Sequence, residues 1–262
     1  MPDVDYGWLP SPDGPMAPSG SQPEPGRDAV ELATLELHRR PRIRDQGQVV
    51  PCCVSIAVTG ALELLLARGG RPPELSPMFH YYRARSEPSA LLSLSLLDGL
   101  QAAMRDGICS QQLHDQAITS AGASIMPSPE AIADGRKLAG SRYNPATGGL
   151  IGHFEFFRLA DHDRRRSWLA TLGSGWPILM GFWQTPGYAA IHAGLPRHGD
   201  QLSPRAPVGH AVLVIGHRRR RGFRIVDSKG RGFGKRGTWW LPDHLLETPL
   251  IQESWFIKPT SA

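Results

Sequence analysis

The hydrophobic pattern of this chain changes from a helical period to strand-like runs about halfway along, and this change constrains the fold most. In the first half, apolar residues recur three or four positions apart, as on one face of an amphipathic helix. In the second half they form short runs bounded by Gly and Pro, which is typical of buried strands. Helices followed by strands predict an α+β fold in two halves.

Start and stop signals divide each half into elements. Pro77 follows Ser76 at one helix start, while Gly69-Gly70 and Gly107 end other helices. Residues 120–150 give little pattern, and residues 184–208 form a long loop of the kind that is more often functional than idle. The predicted helices cover residues 53–68, 76–82, 93–105 and 167–172, and the predicted strands cover residues 177–182, 211–215, 223–226 and 238–241.

Composition excludes several classes of protein. The chain has 262 residues, of which 40% are hydrophobic and 20% charged, so it is long enough for one large globular domain. It contains no apolar run of roughly 18 residues, so no membrane partner is expected. Residues 1–27 lack the apolar stretch of a secretory signal and predict an extended arm. Three cysteines, two of them adjacent, cannot form a disulfide framework, which indicates a reducing, cytoplasmic setting.

The net charge of +5 invites a nucleic-acid interpretation, but the distribution of the charge argues against one. Arginines cluster at residues 39–44, 164–166 and 218–221 without repetition, and no known nucleic-acid-binding motif accompanies them. We therefore interpret each cluster as a solvated turn or helix face, and we expect no nucleic-acid partner.

Three residues have the chemistry of a nucleophilic catalyst. Cys53 falls at the N-terminus of the first predicted helix, where unpaired N–H groups and the helix dipole favour a thiolate. His210 begins one strand-like run and Asp227 ends the next, so a hairpin turn between the runs would bring the two side by side. A buried structural cysteine, a structural histidine and a turn aspartate are the alternatives. Together the three residues form a nucleophile, a base and an orienting acid.

Six short motifs, spread over nearly the whole chain, resemble the papain-like cysteine peptidases. None of them is decisive alone, and their shared order carries the resemblance. They are D-Q-G-Q at 45–48, C-V-S-I-A-V-T-G-A-L-E at 53–63, L-S-P at 75–77 with Tyr81-Tyr82, D-G-I-C at 106–109, G-H-A-V at 209–212, and D-S-K-G at 227–230 with G-F-G-K-R-G at 232–237.

The resemblance implies a single papain-like catalytic domain over residues 28–262. Its α+β fold would have two lobes, a helical lobe at about 45–150 and an antiparallel, β-barrel-like lobe at about 151–258. The cleft between the lobes would take a peptide or amide substrate, lined by Val208, Gly209 and the long loop before them. No residue pattern demands a cofactor or a metal.

The same resemblance assigns roles to the site residues. Cys53 would be the nucleophile, His210 the general base and Asp227 the residue that orients His210. Gln46 and the backbone N–H of Cys53 would stabilise the oxyanion.

Two adjacent cysteines compete for the nucleophile's position. Counting back from Glu63 in the family's helix motif gives Cys53, whereas counting forward from Gln46 gives Cys52. One extra residue therefore lies between Gln46 and the helix. A loop absorbs such an insertion more easily than a packed helix, because one residue rotates a helix by about 100°. We therefore favour Cys53.

Three positions depart from the family pattern. Val54 and Lys229 replace tryptophans, and Asp227 replaces the orienting asparagine. Lys229 would leave the histidine–acid hydrogen bond wetter or place a cation beside it, whereas the aspartate charge would favour the imidazolium. We expect a divergent, bacterial-type member that hydrolyses peptide bonds through a thioester on Cys53. The alternatives are an amide-forming ligase or acyltransferase, and a catalytically silent peptide-binding module.

Overall fold

A computed structural model describes residues 7–12, 34–37, 41–67, 73–139, 142–144, 149–151, 154–185, 187–188 and 208–259. The three helices predicted in the first half are present within a few residues of their expected bounds. Two further helices lie in the stretch that gave little pattern. In order, the helices of this half are α1 (Cys53–Leu66), α2 (Pro77–Ala84), α3 (Leu96–Asp106), α4 (Ser120–Ala123) and α5 (Pro129–Arg136).

Side-chain capping determines where these helices begin and end. The Ser76 hydroxyl accepts a hydrogen bond from the N–H of Phe79 at the start of α2. Ser95 and Asp98 form a reciprocal capping box at the start of α3. α3 ends at Gly107, whose φ of +66° costs glycine little. α5 begins with the same Ser-Pro pair as α2, so this signal could have predicted it.

The second half of the chain supplies most of a seven-stranded antiparallel sheet. The helix α6 (Arg164–Gly173), predicted at 167–172, lies against this sheet. The strands of this sheet at residues 154–158 and 251–259 were not predicted from the sequence. The strands of the whole chain are β1 (Trp8–Leu9), β2 (Thr34–Glu36), β3 (Leu94–Ser95), β4 (Arg142–Asn144), β5 (Gly149–Ile151), β6 (Phe154–Arg158), β7 (Ile178–Trp183), β8 (Gly209–Arg218), β9 (Gly222–Val226), β10 (Thr238–Leu241) and β11 (Ile251–Pro259).

The order of strands in the main sheet is β10-β9-β8-β7-β11-β6, and β2 also pairs with β8. This arrangement confirms the predicted lobe of antiparallel strands. Among the described strands no pairing joins β10 to β6, so the sheet is open and the expected barrel-like closure is not found. Within the same described part of the chain, no helix is long and apolar enough to cross a membrane.

α1 packs across the sheet and joins the two lobes. Nearly all of its residues are buried, and it contacts β8 more than any other element. Ala211, Leu213 and Ile215 of β8 belong to the same core cluster as α1. The intervening Val212 and Val214 belong to a second cluster on the opposite face of the sheet, as the alternation of side chains along a strand requires. This packing holds the N-terminus of α1 beside the start of β8.

The segment predicted as an extended arm is anchored where the structure describes it. β1 pairs in parallel with β3 of the helical lobe. Trp8 is 1% exposed, and its indole N–H donates to Glu253 Oε1 at 2.8 Å. Its ring meets that of Trp183 edge-on, with 5.4 Å between the centroids. Residues 7–12 therefore connect the two lobes, while the rest of the predicted arm lies outside the described residues.

Candidate active site

Cys53 is the first residue of α1. The preceding Cys52 has non-helical backbone angles (φ −101°, ψ 20°), and no side chain among the described residues caps this helix end. The backbone N–H of Cys53 therefore has no intrahelical partner, and the positive end of the helix dipole lies at its thiol. Reactive cysteines are found at helix N-termini of this kind.

The hairpin of β8 and β9 places His210 beside Asp227. His210 is the second residue of β8, and Asp227 directly follows β9. Leu213 pairs with Val226 near the open end of the hairpin, so the next residues of the two strands meet there. His210 Nε2 lies 3.0 Å from Asp227 Oδ1, and both side chains are almost completely buried. The structure thus brings together the two residues that the sequence predicted as a pair.

Asp227 accepts hydrogen bonds from three side chains. His210 occupies Oδ1, whereas Oδ2 accepts from the Tyr188 hydroxyl at 2.9 Å and from the Trp239 indole N–H at 2.7 Å. Burial raises the pKa of a carboxyl, but the positive charge and the hydrogen bonds here lower the pKa of Asp227 below its ordinary value. Asp227 is therefore a carboxylate that is fixed through both oxygens.

The charge of Asp227 determines the protonation of His210. Because a carboxylate only accepts, His210 Nε2 carries the proton of their hydrogen bond. Burial lowers the pKa of His210, but the Asp227 carboxylate and, to a smaller extent, Cys53 raise it from 6.5 to about 9. His210 Nδ1 has no hydrogen-bond partner among the described residues, and it is the nitrogen left to interact with Cys53. At neutral pH, Cys53 therefore lies beside an imidazolium.

Lys229 places a cation near this pair without making it wetter. His210 is 0% exposed and Asp227 1% exposed, so their hydrogen bond is dry. Lys229 Nζ lies 4.9 Å from the centroid of the Tyr188 ring and 5.8 Å from that of Phe233. Burial lowers the pKa of Lys229, against the opposing charges of Asp227 and Cys53. The structure therefore shows the nearby cation that was one of the two expectations. It does not show the other, a hydrogen bond more open to water.

The other two cysteines lie in environments that keep a thiol protonated. Burial, followed by the charge of Cys53, raises the pKa of Cys52 far above its usual range. Burial and the nearby Asp134 raise the pKa of Cys109 to about 12. Of the three cysteines, only Cys53 contributes to the raised pKa of His210. These environments favour Cys53 over Cys52 as the nucleophile.

Gln46 is hydrogen-bonded to Ser228, the residue that follows Asp227. Its backbone N–H donates to the Ser228 carbonyl at 2.7 Å, and its Oε1 accepts from the Ser228 hydroxyl, also at 2.7 Å. With Oε1 occupied, the Nε2 amide remains the donating end of this buried side chain. Gln46 can therefore supply a fixed N–H donor, as an oxyanion hole requires.

Val208 and Gly209 lie directly before His210. Val208 is 39% exposed, and its carbonyl accepts a hydrogen bond from the N–H of Gln184 at 2.8 Å. A Cβ on Gly209 would lie 2.0 Å from the Trp8 carbonyl oxygen, so only glycine fits against β1. Most of the predicted 184–208 loop lies outside the described residues. Within the described ranges, no group of three His, Cys, Asp or Glu residues could hold a metal ion.

Tyr188 and Trp239 are the site residues that sequence reasoning missed. Trp239 lies on a predicted strand, but only the pairing of β10 with β9 brings its indole to the carboxylate of Asp227. Tyr188 lies within the predicted long loop, and its distance of 39 positions from Asp227 gives no local signal. Both contacts depend on tertiary packing.

Comparisons with known proteins agree with this geometry. No protein-family model and no curated protein sequence matches the chain. Among solved structures, the chain is similar to xylellain, a cysteine protease from Xylella fastidiosa (TM-score 0.80, 22% identity, 98% of this chain and 97% of the other). It is similar to digestive procathepsin L 3 of Tenebrio molitor larval midgut (0.58, 15%, 97% and 74%). It is also similar to the Carica candamarcensis cysteine protease CMS1MS2, solved in complex with E-64 (0.60, 16%, 87% and 98%).

These similarities define the class of fold. The chain has the two-lobed, papain-like fold, with a helical lobe and a lobe built on an antiparallel sheet. The resemblance found in the sequence motifs is confirmed at the level of the fold.

Proposed function

We propose that this chain is a papain-like cysteine peptidase that hydrolyses peptide bonds through a thioester on Cys53. The observation that carries the proposal is the buried Asp227–His210 pair, which holds an imidazolium beside a cysteine at a helix N-terminus. An imidazolium and a helix dipole both stabilise a thiolate, and the thiolate is the nucleophilic form of cysteine.

The proposed reaction begins when the Cys53 thiolate attacks the carbonyl carbon of the scissile peptide bond. Gln46 Nε2 and the Cys53 backbone N–H donate to the resulting oxyanion. The tetrahedral intermediate collapses as the imidazolium of His210 gives its proton to the leaving amine, and the acyl group remains on the sulfur as a thioester. Neutral His210 then takes a proton from water as the water attacks the thioester; the C–S bond breaks, which releases the carboxylic acid and restores the Cys53 thiolate beside protonated His210. Asp227 holds His210 in the required tautomer throughout.

Amide formation is the closest alternative, because an amine in place of water would resolve the same thioester into a new amide. Nothing in the positions of Cys53, His210 or Asp227 distinguishes the two acceptors. We propose hydrolysis as the main reaction, since the similar solved structures are described as proteases. A product analysis with and without added amines would distinguish the two reactions.

A catalytically silent peptide-binding module is the alternative suggested by Val54, Lys229 and Asp227. The environment of Asp227 supports the enzyme instead, because its two oxygens satisfy three donors and so hold His210 firmly. Lys229 lies over aromatic rings rather than between His210 and Asp227. The contacts of Asp227 and Lys229 therefore support an active enzyme over a silent module.

Selective alkylation of the thiol tests the proposal. At about pH 6 an ordinary thiol with a pKa of about 8.5 is almost fully protonated, so rapid reaction with iodoacetamide reports a stabilised thiolate. We expect fast labelling at Cys53 alone, which peptide mapping would show, and slow labelling in His210→Ala. Cys52→Ala is the matched control and should label like the wild type. Slow or indiscriminate labelling of the three cysteines would contradict the enzyme proposal.

A substrate screen then establishes the activity. Fluorogenic peptides should be cleaved by the wild-type chain and by Cys52→Ala, and not by Cys53→Ala. Labelling at Cys53 without cleavage of any peptide would instead favour an acyl transfer to another acceptor.

We also propose a reducing, cytoplasmic setting. All three cysteines of the chain lie within the described residues and are free thiols, which supports it. A peptide or amide substrate, with no membrane or nucleic-acid partner, completes the proposal.

A further inference from the structure

Tyr188 reaches the catalytic acid from the loop that follows β7. Five positions separate it from Trp183, the last residue of that strand. Its backbone N–H donates to the carbonyl of Thr185 at 2.9 Å and to the hydroxyl of the same residue at 3.3 Å. Thr185 is itself buried. These bonds hold the backbone of Tyr188 close to the end of β7.

The ring of Tyr188 packs against the catalytic histidine. The centroids of the two rings lie 5.7 Å apart, and the planes meet at 51°. Three more aromatic rings surround Tyr188 with centroids at 5.1 to 5.8 Å: those of Phe182, Phe233 and Trp239. Tyr188 is 1% exposed. A ring that is packed on several sides cannot swing away, so the direction of its hydroxyl is fixed.

The Tyr188 hydroxyl acts only as a donor toward Asp227. The oxygen atoms lie 2.9 Å apart, and an ionised carboxylate can only accept. Burial and the charge of Asp227 raise the pKa of Tyr188 well above its ordinary value, so the phenol keeps its proton at neutral pH. The hydrogen bond is therefore present whenever Asp227 is ionised.

An aspartate at this position needs more donors than the asparagine expected from the family pattern. An asparagine would accept from His210 through its one oxygen and would itself donate through its NH₂ group. Asp227 has two accepting oxygens instead and carries a charge, which is costly to bury without hydrogen bonds. His210 donates to Oδ1, whereas Tyr188 and Trp239 donate to Oδ2. Tyr188 is thus one of two donors that this substitution requires.

The donors to Oδ2 determine where the shared proton lies. The proton between Asp227 and His210 can sit on the carboxyl, which gives a neutral pair, or on the imidazole, which gives an ion pair. Hydrogen bonds to the charged form of a carboxyl favour that form. Tyr188 and Trp239 both lower the pKa of Asp227 in this way. They therefore favour the imidazolium that the Cys53 thiolate needs.

Two further groups act on Asp227 through charge. Lys229, two positions along the chain, attracts the carboxylate, and Cys53 on α1 is the other acidic group of the site. Among the described residues, neither of them makes a hydrogen bond to Asp227. Tyr188 differs from both because it is neutral. Replacement of Tyr188 by phenylalanine changes the number of donors to Asp227 and leaves the net charge of the site unchanged.

We propose that Tyr188 is a positioning residue whose hydroxyl keeps Asp227 ionised and directed at His210. This inference rests on the proposed peptidase function, because it assigns a role within the same site. Tyr188 acts through Asp227 and not on the substrate. Its hydroxyl thereby links the loop after β7 to the protonation of the catalytic histidine.

Tyr188→Phe removes the hydroxyl and keeps the ring. The test measures the rate of Cys53 alkylation by iodoacetamide from about pH 4 to about pH 10. Without the hydroxyl, the negative charge of Asp227 is less neutralised, so the site takes up a proton at a higher pH. We expect the pH at which the rate rises to move up by about one unit.

A shift of this size has different effects at acid and at neutral pH. Where the wild-type rate is still rising with pH, Tyr188→Phe should react about tenfold more slowly, because one pH unit is a factor of ten in proton concentration. At neutral pH it should lose less than about threefold, since Trp239 still donates to Oδ2. A merely structural role would lower the rate by the same factor at every pH.

Tyr81→Phe is the matched control. The Tyr81 hydroxyl donates to the carbonyl of Leu92 at 2.9 Å, and the residue is completely buried, but it lies in the helical lobe and makes no hydrogen bond to Asp227 among the described residues. Its variant should keep the pH profile of the wild type. A cooperative melting transition would verify that both variants are folded.

The possible results separate this inference from the function on which it rests. A profile of Tyr188→Phe that coincides with that of the wild type would overturn the inference. So would a rate lowered equally at every pH, or an equal shift in Tyr81→Phe. Slow labelling of Cys53 in the wild type would refute the proposed function itself, and the inference with it.

Discussion

Replacement of Asp227 by asparagine, the residue expected from the family pattern, should disable this chain. The reason is the number of donors around the carboxylate. His210 Nε2 donates to Oδ1, and Tyr188 and Trp239 both donate to Oδ2. An asparagine offers one oxygen and one NH₂ group in place of two oxygens. At one of these two positions its NH₂ group, a donor, would therefore point at another donor. The indole N–H of Trp239 cannot accept, so no arrangement of the asparagine satisfies all three partners while His210 Nε2 keeps its proton.

Two free-energy contributions determine how much activity the asparagine variant should lose. The rise in the pKa of His210 from 6.5 to about 9 corresponds to about 3 kcal/mol that favours the imidazolium. A buried donor without an acceptor costs about 1–3 kcal/mol. If the asparagine oxygen faces Trp239 and Tyr188, its NH₂ faces His210 Nε2 and imposes the wrong tautomer. Since 1.4 kcal/mol is a factor of ten, we expect kcat/KM to fall roughly 100-fold or more in Asp227→Asn.

A second substitution isolates the role of the indole. Trp239→Phe removes the donor that cannot accept, while the Tyr188 hydroxyl can accept from the asparagine NH₂. The asparagine oxygen is then free to accept from His210. We expect the double variant Asp227→Asn/Trp239→Phe to recover about tenfold in kcat/KM over Asp227→Asn, while Trp239→Phe alone loses less than about threefold.

The assay is a pH profile of kcat/KM on a fluorogenic peptide, or of the alkylation rate of Cys53. It is measured for the wild type, the two single variants and the double variant. Activity requires protonated His210, so the wild-type profile should fall as the pH rises through about 9. In Asp227→Asn no carboxylate opposes the lowering of the His210 pKa by burial. The pH at which activity falls should therefore move down by about two units. The reasoning would be refuted if activity fell at the same pH in Asp227→Asn as in the wild type. It would also be refuted if the double variant were no more active than Asp227→Asn.

Three further predictions concern stability, measured by urea unfolding. Glu253→Gln should cost about 1–3 kcal/mol, because two indole N–H groups and one backbone N–H donate to the buried carboxylate, whereas exposed Glu155→Gln should cost less than about 0.5 kcal/mol. Glu63→Ala should cost about 3–5 kcal/mol, since it leaves the mostly buried Arg44 without its bidentate partner; a cost below about 1 kcal/mol would contradict this. The pKa of His210 is higher in the folded state, so its contribution of up to about 3 kcal/mol is present below pH 6.5 and lost as the pH rises through about 9; His210→Gln should lack this decline.

The sequence could predict the elements that bury one clear face or carry strong end signals. α1, α2 and α3 were located by helical periodicity together with Ser-Pro starts and glycine stops. The strands β7 to β10 were located by short apolar runs. The hairpin of β8 and β9 then placed His210 and Asp227 together, because the pairing of neighbouring strands is a local property.

The sequence could not predict elements whose polar residues are satisfied by distant partners. β11 was missed because Glu253 and Ser254 interrupt its apolar run, and both are buried. Glu253 is tolerated there because the indole N–H groups of Trp8 and Trp255 and the backbone N–H of Ser11 donate to it. Trp8 itself lies in a segment rich in Gly and Pro, where no local period indicated its burial.

The sequence by itself determined the two lobes, the helix that begins at Cys53, and the order of nucleophile, base and acid along the chain. Local propensity and periodicity are sufficient for these features. Tertiary structure alone decided the surroundings of the acid and the burial of Trp8 against Glu253. Both depend on contacts between strands and loops far apart in sequence, and such contacts leave no periodic signal in the chain.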